Sequence, residues 1–299
     1  MKKMKTWWSG FLILAFLICG CSAGSSSRIR IGCSKGGEGE ILCWMYKELA
    51  ARQGLPVELV EVSPGIKNLQ PALENDSLQV GVEFTDSAWK TVLHHGEPYR
   101  SSDLTLLSSA YNDLNLTWVE LPQVSDHYLL AVTKKVAKTY DLKTISDLVE
   151  VQDKLVLGAP TMYFEQEDGY PLMEKVYGLS VGKTVNLPES QYKQALLQGN
   201  IDVIPARTLD GSLQDAGVVF LEDDLKAYEN SYAGIVLNKD AIRNEPRLVA
   251  IARILAREIR GEQLVQASHL VSSGLATPQE ASLLILKSVD LIREKTQGK

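Results

Sequence analysis

The residues able to do chemistry are scattered, and few stand at the spacing that chemistry requires. Gly178-Leu-Ser-Val-Gly182-Lys183-Thr184 holds the residue types that cradle a phosphate, but three residues separate its glycines where a phosphate loop needs four. It also follows a helical pattern, and Pro188 prevents a long helix behind it. Gly36-Gly37-Glu38-Gly39-Glu40 does lie between a strand pattern and a helical one. It lacks the third glycine of a dinucleotide fingerprint, and Glu38 and Glu40 would repel a pyrophosphate at the helix N-terminus. That N-terminus still offers backbone N–H groups to a small polar ligand. His94 and His95 diverge by about 100° on a helix and do not chelate one metal together. The run Glu222-Asp223-Asp224 reads as a solvated loop rather than an acid/base pair. No Gly-x-Ser-x-Gly elbow and no His-Glu-x-x-His pattern occurs. No catalytic residue, metal site or cofactor is expected, and the chain reads as a binder rather than an enzyme.

The elements that must position a binding site begin behind an export signal. Lys2, Lys3 and Lys5 form a positive start and Phe11 to Ile18 a short apolar run, below the ~20 residues that span a bilayer. Gly20-Cys21 then resembles the site at which a bacterial lipoprotein is cut and its cysteine acylated. Residues 1–20 are read as a signal peptide, Cys21 as the lipidated residue, and 21–27 as a flexible tether. The chain is therefore expected outside the cytoplasm, on the outer face of the plasma membrane or in a periplasm, touching the membrane only through the lipid. Cleavage removes three positive charges and no acids. A net charge of −6 over 299 residues already argues against nucleic acid, whose phosphates need clustered Lys and Arg. Cys33 and Cys43 remain, either as a disulfide of an exported protein or as two small buried thiols.

From Arg28 onward, β-rich runs alternate with helical patterns. Arg28–Gly32, Val57–Val62 and Val80–Phe84 read as strands, with helices over Ile41–Leu49, Gly65–Asn75 and Ser87–His95. A second series runs through Tyr128–Val132, Lys154–Gly158, Asp202–Ala206, Val218–Glu222 and Ala233–Leu237, with helices at Gly169–Tyr177 and Glu189–Gln198. Such alternation builds parallel sheets. Residues 246–292 are helical, with Leu248, Ile251, Ile254, Leu255 and Ile259 on one apolar face and Leu283, Leu284, Leu286, Val289 and Leu291 on another. Two series plus a helical tail predict an α/β chain of two lobes. Residues 28–124 with 238–299 form one lobe and 125–237 the other, with crossings near Leu121–Ser125 and Ala233–Leu237. A ligand crevice is expected between them at the strand carboxyl ends.

An ordered set of segments resembles the substrate-binding proteins of osmoprotectant ABC transporters, which take up glycine betaine, choline or carnitine. The set comprises Ile29–Gly32, Val82-Glu-Phe-Thr-Asp-Ser87, Asp126-His-Tyr-Leu-Leu-Ala-Val132, Thr144–Leu148, Asp168-Gly-Tyr-Pro171, Gly199–Val203, Leu209-Asp-Gly211 and Leu221–Asp224, across essentially all of the chain beyond the signal. The resemblance implies a two-lobed, periplasmic-binding-protein-like fold of type II, a small-molecule solute held at the hinge, and an ABC permease with its ATPase as partners. A ligand-binding sensor domain is the alternative, and an enzyme on the same fold a more distant one.

The resemblance also implies site positions. Tyr128 stands at a ring of the family's aromatic cage for quaternary ammonium, where cation–π attraction is worth about 0.5–2 kcal/mol per ring. Phe84 takes another cage position, Arg207 a third, and Ser231 or, with a one-residue shift, Tyr232 the fourth. Ser87 matches a hydroxyl that helps hold a carboxylate, Gln166 a place where some members carry arginine for it, and Glu38 the first-loop ligand segment. A guanidinium in the cage would repel trimethylammonium and favour an acid group. The expected ligand is thus a zwitterion or small carboxylate with Arg207 on its acid. Asp126 or Glu38 would face its amine, and Phe84 and Tyr128 would pack on its apolar or cationic part.

Overall fold

A computed structural model describes residues 28–63 and 65–293. The expected signal peptide, Cys21 and the tether lie outside the described residues. Among the described residues ten strands form two sheets of five. The first sheet has the order β2-β1-β3-β10-β4, built from β1 (Ile29–Cys33), β2 (Val57–Glu61), β3 (Val80–Phe84), β4 (Leu116–Asp126) and β10 (Ser231–Asn238). The second has the order β7-β6-β8-β5-β9, from β5 (Tyr128–Thr133), β6 (Val156–Ala159), β7 (Lys183–Asn186), β8 (Val203–Arg207) and β9 (Val218–Phe220). In each sheet three parallel strands are followed by one antiparallel strand and then an outer strand antiparallel to that. The two-lobed α/β architecture read from the alternation is the one observed.

The lobe boundary needs correction. Strand β10, expected in the lobe of 125–237, pairs instead with β3 (Ile235 with Val82) and β4 (Ile235 with Val119) in the first sheet. The chain therefore crosses after Asp126, not at 121–125, and has returned by Ser231 rather than at 238. A strand buried on both faces reads as a continuous apolar run, so Ala233–Leu237 names no sheet. What fits it between its neighbours is Gly234: a Cβ there would stand 2.2 Å from the indole of Trp118, which lies across the strand.

The C-terminal helices Arg247–Glu258, Gly261–Ser272 and Pro278–Ser288 pack with helix Gly37–Arg52 in the first lobe, where Leu248, Ile251, Leu255 and Ile259 are fully buried. One expected face shifts by a residue, since Leu284 is 49% exposed and Ile285 is buried in its place. The expected helix Ser87–His95 is a short α-turn, Thr85–Ser87, followed by a π-helical turn, Ala88–Val92. His95 stacks on Trp89 at 3.7 Å between ring centres. Cys33 and Cys43 are free and buried. No helix among the described residues is long and apolar enough to cross a membrane.

Candidate ligand-binding site

The site grows from strand ends. Asp126 closes β4, Tyr128 opens β5 and Arg207 closes β8, so the lobe crossing itself carries two of the three. Antiparallel register sets Tyr128 directly opposite Arg207, and Ser231 directly opposite Asp126. Side chains so paired stand within about 5 Å at Cβ and interact. The Arg207 guanidinium carbon lies 4.8 Å from the centre of the Tyr128 ring. Its Nε donates to Asp126 Oδ2 at 2.7 Å, while Oδ1 of Asp126 accepts from Leu209 N at 3.2 Å. Burial works against the Arg207 cation, but the Asp126 charge and hydrogen bond outweigh it and hold the guanidinium protonated. Burial also pushes the Tyr128 hydroxyl above its usual pKa, with Arg207 opposing.

These groups border a crevice of about 540 Å³ between the lobes, inside the range of small-molecule sites. From the first lobe, Asp86 enters behind β3, its Oδ1 accepting from Ser231 Oγ at 2.5 Å and Ser87 N at 2.7 Å. From the second lobe comes the ring of Tyr228, whose hydroxyl shares a 2.6 Å hydrogen bond with that of Tyr163. Across the mouth, Lys90 Nζ meets Asp168 Oδ2 at 2.8 Å, an ion pair joining the two lobes. The lining sets five carboxylates against three cationic side chains, which makes it attractive to a positive group. His127 also lines it, with Nδ1 buried and unpartnered, and burial draws its pKa down so that it is neutral at neutral pH. Among the described residues no group of three or more His, Cys, Asp or Glu could hold a metal ion.

Of the residues named from sequence, Asp126, Tyr128, Arg207 and Ser231 come together on this lining. The others do not. Phe84 packs against the first-lobe core, and Tyr232 packs beside Trp118 with its hydroxyl accepting from Ser101 Oγ at 3.4 Å. Successive strand residues face opposite ways, so Ser231, not Tyr232, points to the crevice. The Ser87 side chain is off the lining, and its backbone N–H serves Asp86. Gln166 is exposed while its neighbours Glu167 and Asp168 line the mouth. Glu38 turns away to accept from Ser268 Oγ at 2.9 Å, and burial raises its carboxyl above the usual range. Of the two carboxylates expected to face an amine, Asp126 accepts from Arg207 and Glu38 from Ser268.

Sequence reasoning missed Asp86, Lys90 and Tyr228. Asp86 lay within a segment already singled out, two residues past Phe84. Tyr228 follows the acidic run taken for a solvated loop, and that run is structural: Asp223 accepts from Tyr177 Oη at 2.5 Å and from Ala227 N and Tyr228 N at 2.9 and 2.8 Å, folding the return segment so that Tyr228 faces inward.

The lobes also meet behind the crevice. A Cβ at Gly211 would stand 2.2 Å from His269 N and Val265 O on helix Gly261–Ser272, so the segment after Arg207 lies flat on a first-lobe helix. Gly211 N donates to Ser268 Oγ at 3.2 Å, Leu209 joins the first-lobe core and Leu213 a second-lobe cluster. This contact fixes where β8 ends relative to the first lobe.

Comparison with known proteins gives a consistent picture. The family described as the substrate binding domain of the ABC-type glycine betaine transport system matches residues 27–287. The ergothioneine transport permease/ergothioneine binding protein of Helicobacter pylori is 25% identical over 210 residues, which cover 70% of this chain and 38% of that protein. This chain thus spans well under half of that relative. The carnitine transport binding protein of Listeria monocytogenes is 24% identical over 266 residues, 87% of this chain and 86% of that one. A crystal structure described as a glycine betaine/carnitine/choline ABC transporter superposes with a TM-score of 0.79 at 21% identity, over 87% of this chain and 98% of that one.

Proposed function

Because this chain belongs to the family of substrate-binding domains of ABC-type glycine betaine transport systems, we propose that it is the extracytoplasmic receptor of an ABC importer and captures a small betaine-class solute between its lobes. The family is one of transport substrate-binding proteins rather than enzymes. The observation that carries the reading is the crevice itself, about 540 Å³ of space at the strand ends of two lobes, bordered by the Asp126–Arg207 pair on Tyr128. Asp126, Tyr128, Arg207 and Ser231 hold the solute together with Asp86 and Tyr228. Lobe closure over the solute presents it to the permease, and the ATPase drives uptake. Acylated Cys21 keeps the receptor at the membrane, an assignment supported by the small residues around it and the polar tether behind it.

Titration calorimetry with glycine betaine, carnitine, choline and ergothioneine tests the reading. One-to-one binding of at least one of them, with the solute recovered chemically unchanged, is the expected result. Absence of binding across the panel, or conversion of the solute, would overturn it. Labelling with a radioactive fatty acid that persists in Cys21→Ala would overturn the anchor.

A further inference from the structure

A ring serves a binding site only while its place and angle are held, and a tyrosine on an irregular segment has side-chain torsions free to spoil both. Tyr228 is such a residue. It lies between β9 and β10, outside any helix or strand, and lines the crevice. Asp223 Oδ2 accepts from its backbone N–H at 2.8 Å, which holds the chain but not the ring. The ring is held from its far end, where Tyr228 Oη and Tyr163 Oη share a hydrogen bond of 2.6 Å. The same Tyr163 meets the Tyr128 ring edge-on, with centres 5.7 Å apart and planes at 65°. Tyr128 and Tyr228 stand 6.3 Å apart at 50°. One side chain off the lining thus touches two rings on it. Tyr163 itself is fixed. It is 2% exposed and packed in the second-lobe cluster with Met173 and Tyr177. A Cβ at Gly169 would stand 2.1 Å from Tyr163 O, so the rim segment that carries Asp168 lies flush on helix Thr161–Glu165. Burial pushes the Tyr163 and Tyr228 hydroxyls above their usual pKa, and at neutral pH the bond joins two neutral phenols.

Resting on the reading of this crevice as the solute site, we propose that Tyr163 is its positioning residue. Without touching the solute, it sets the Tyr228 ring through the hydroxyl bond and the Tyr128 ring through the edge contact. Affinity therefore depends on a hydroxyl outside the site. Removing that hydroxyl strands Tyr228 Oη and frees the ring to turn, whereas removing both hydroxyls leaves neither without its partner.

The test is calorimetry at neutral pH on the full chain in detergent, with glycine betaine, L-carnitine, choline and ergothioneine, following whichever binds the unaltered chain most tightly. Tyr163→Phe keeps the ring and removes only Oη, and is expected to weaken that solute about three- to tenfold. Tyr228→Phe cuts the same bond from the other end. The double variant is expected to bind no more weakly than either single one, because the two changes act on one bond. Tyr163→Leu removes the edge contact as well and is expected to bind more weakly than Tyr163→Phe, so that phenylalanine gives a partial rescue. Unchanged affinity in Tyr163→Phe would overturn the proposal. So would losses that multiply in the double variant, since Tyr163 would then act on something other than Tyr228. If Tyr163→Phe shows no cooperative urea transition, Tyr228→Phe carries the test, and unchanged affinity there overturns the proposal equally. An unaltered chain that binds none of the four refutes the solute site itself, an outcome distinct from a Tyr163→Phe chain that binds as the unaltered one does.

Discussion

The two lobes repeat one strand order but bury different chemistry. Every polar or charged residue that is buried among those described belongs to the first-lobe sheet, its helices or the crossing itself: Gln70, Glu83, Thr85, Asp126, Ser231, Asn238, Ser268 and Ser282. The second-lobe clusters are built from apolar and tyrosine side chains. Buried polar groups are tolerated where they make directional bonds, and here those bonds tie distant segments. Asn238 Nδ2 donates to Leu73 O at 3.1 Å, and Ser268 joins Glu38 to Gly211. The first lobe is thus a cross-linked frame. The second packs on apolar and tyrosine side chains, carries its directional bonds on less buried groups such as Asp223, and attaches to the frame at Asp126, at Gly211 and across the Lys90–Asp168 pair. What this teaches is a division of labour in which one lobe ties distant segments through buried polar groups and the other packs its core on apolar and tyrosine side chains.

Glu83 gives the largest way to break that contrast. Fully buried, it accepts a 2.5 Å hydrogen bond from Tyr111 Oη while its Oε1 has no partner. Burial pushes its carboxyl pKa up to about 8, with Tyr111 opposing and Glu74 adding. The folded chain therefore keeps a proton that the unfolded chain releases above about pH 4.5, and this group's contribution to stability falls as pH rises toward 8. The slope is at most about 1.4 kcal/mol per pH unit. In urea unfolding followed by the emission of Trp44, Trp89 and Trp118, all in the first lobe, Glu83→Gln is expected to flatten the pH profile and to be the more stable form at pH 8. Parallel profiles would show that the frame's buried acid is not protonated.

Asp126→Ala comes next. It strands the Arg207 cation and the Leu209 N–H, and we expect a loss of about 2–3 kcal/mol in urea unfolding. That is less than for a fully buried pair, because Arg207 stays one-third open. A loss below 1 kcal/mol would show that the crossing is held by something else. Gly211→Ala forces a Cβ against backbone of helix Gly261–Ser272 and should cost about 1–3 kcal/mol. It sharpens the comparison if solute affinity falls with stability, since the second lobe would then have lost its seat on the frame. Lys90→Ala is the smallest. Its partner pair is substantially exposed, so calorimetry should show under fivefold loss of solute affinity, with the remaining affinity less sensitive to salt.

Much of this frame is legible in the sequence. Local periodicity places eight of the ten described strands and the C-terminal helices, because period-two and 3.6-residue patterns are imposed by burial on one face, but it passes over β4 and β7. Asp126, Tyr128, Arg207 and Ser231 are legible through the family resemblance rather than through periodicity, and the structure places all four at strand ends on the crevice. What local pattern does not carry is partnership over long separation. The sheet to which β10 belongs is set by hydrogen bonds to residues more than a hundred positions away, and the Lys90–Asp168 and Tyr163–Tyr228 contacts span 78 and 65 positions. Glu38 illustrates the reverse error. It follows a strand end as expected, in the first turn of helix Gly37–Arg52, yet the side chain is captured by Ser268 from a helix 230 residues on.

The most direct measurement is a crystal structure of the chain grown with L-carnitine. The solute is expected between the lobes, in contact with the Asp126–Arg207 pair, Tyr128 and Tyr228. A solute bound on an outer face of either lobe, with the crevice empty, would contradict that expectation.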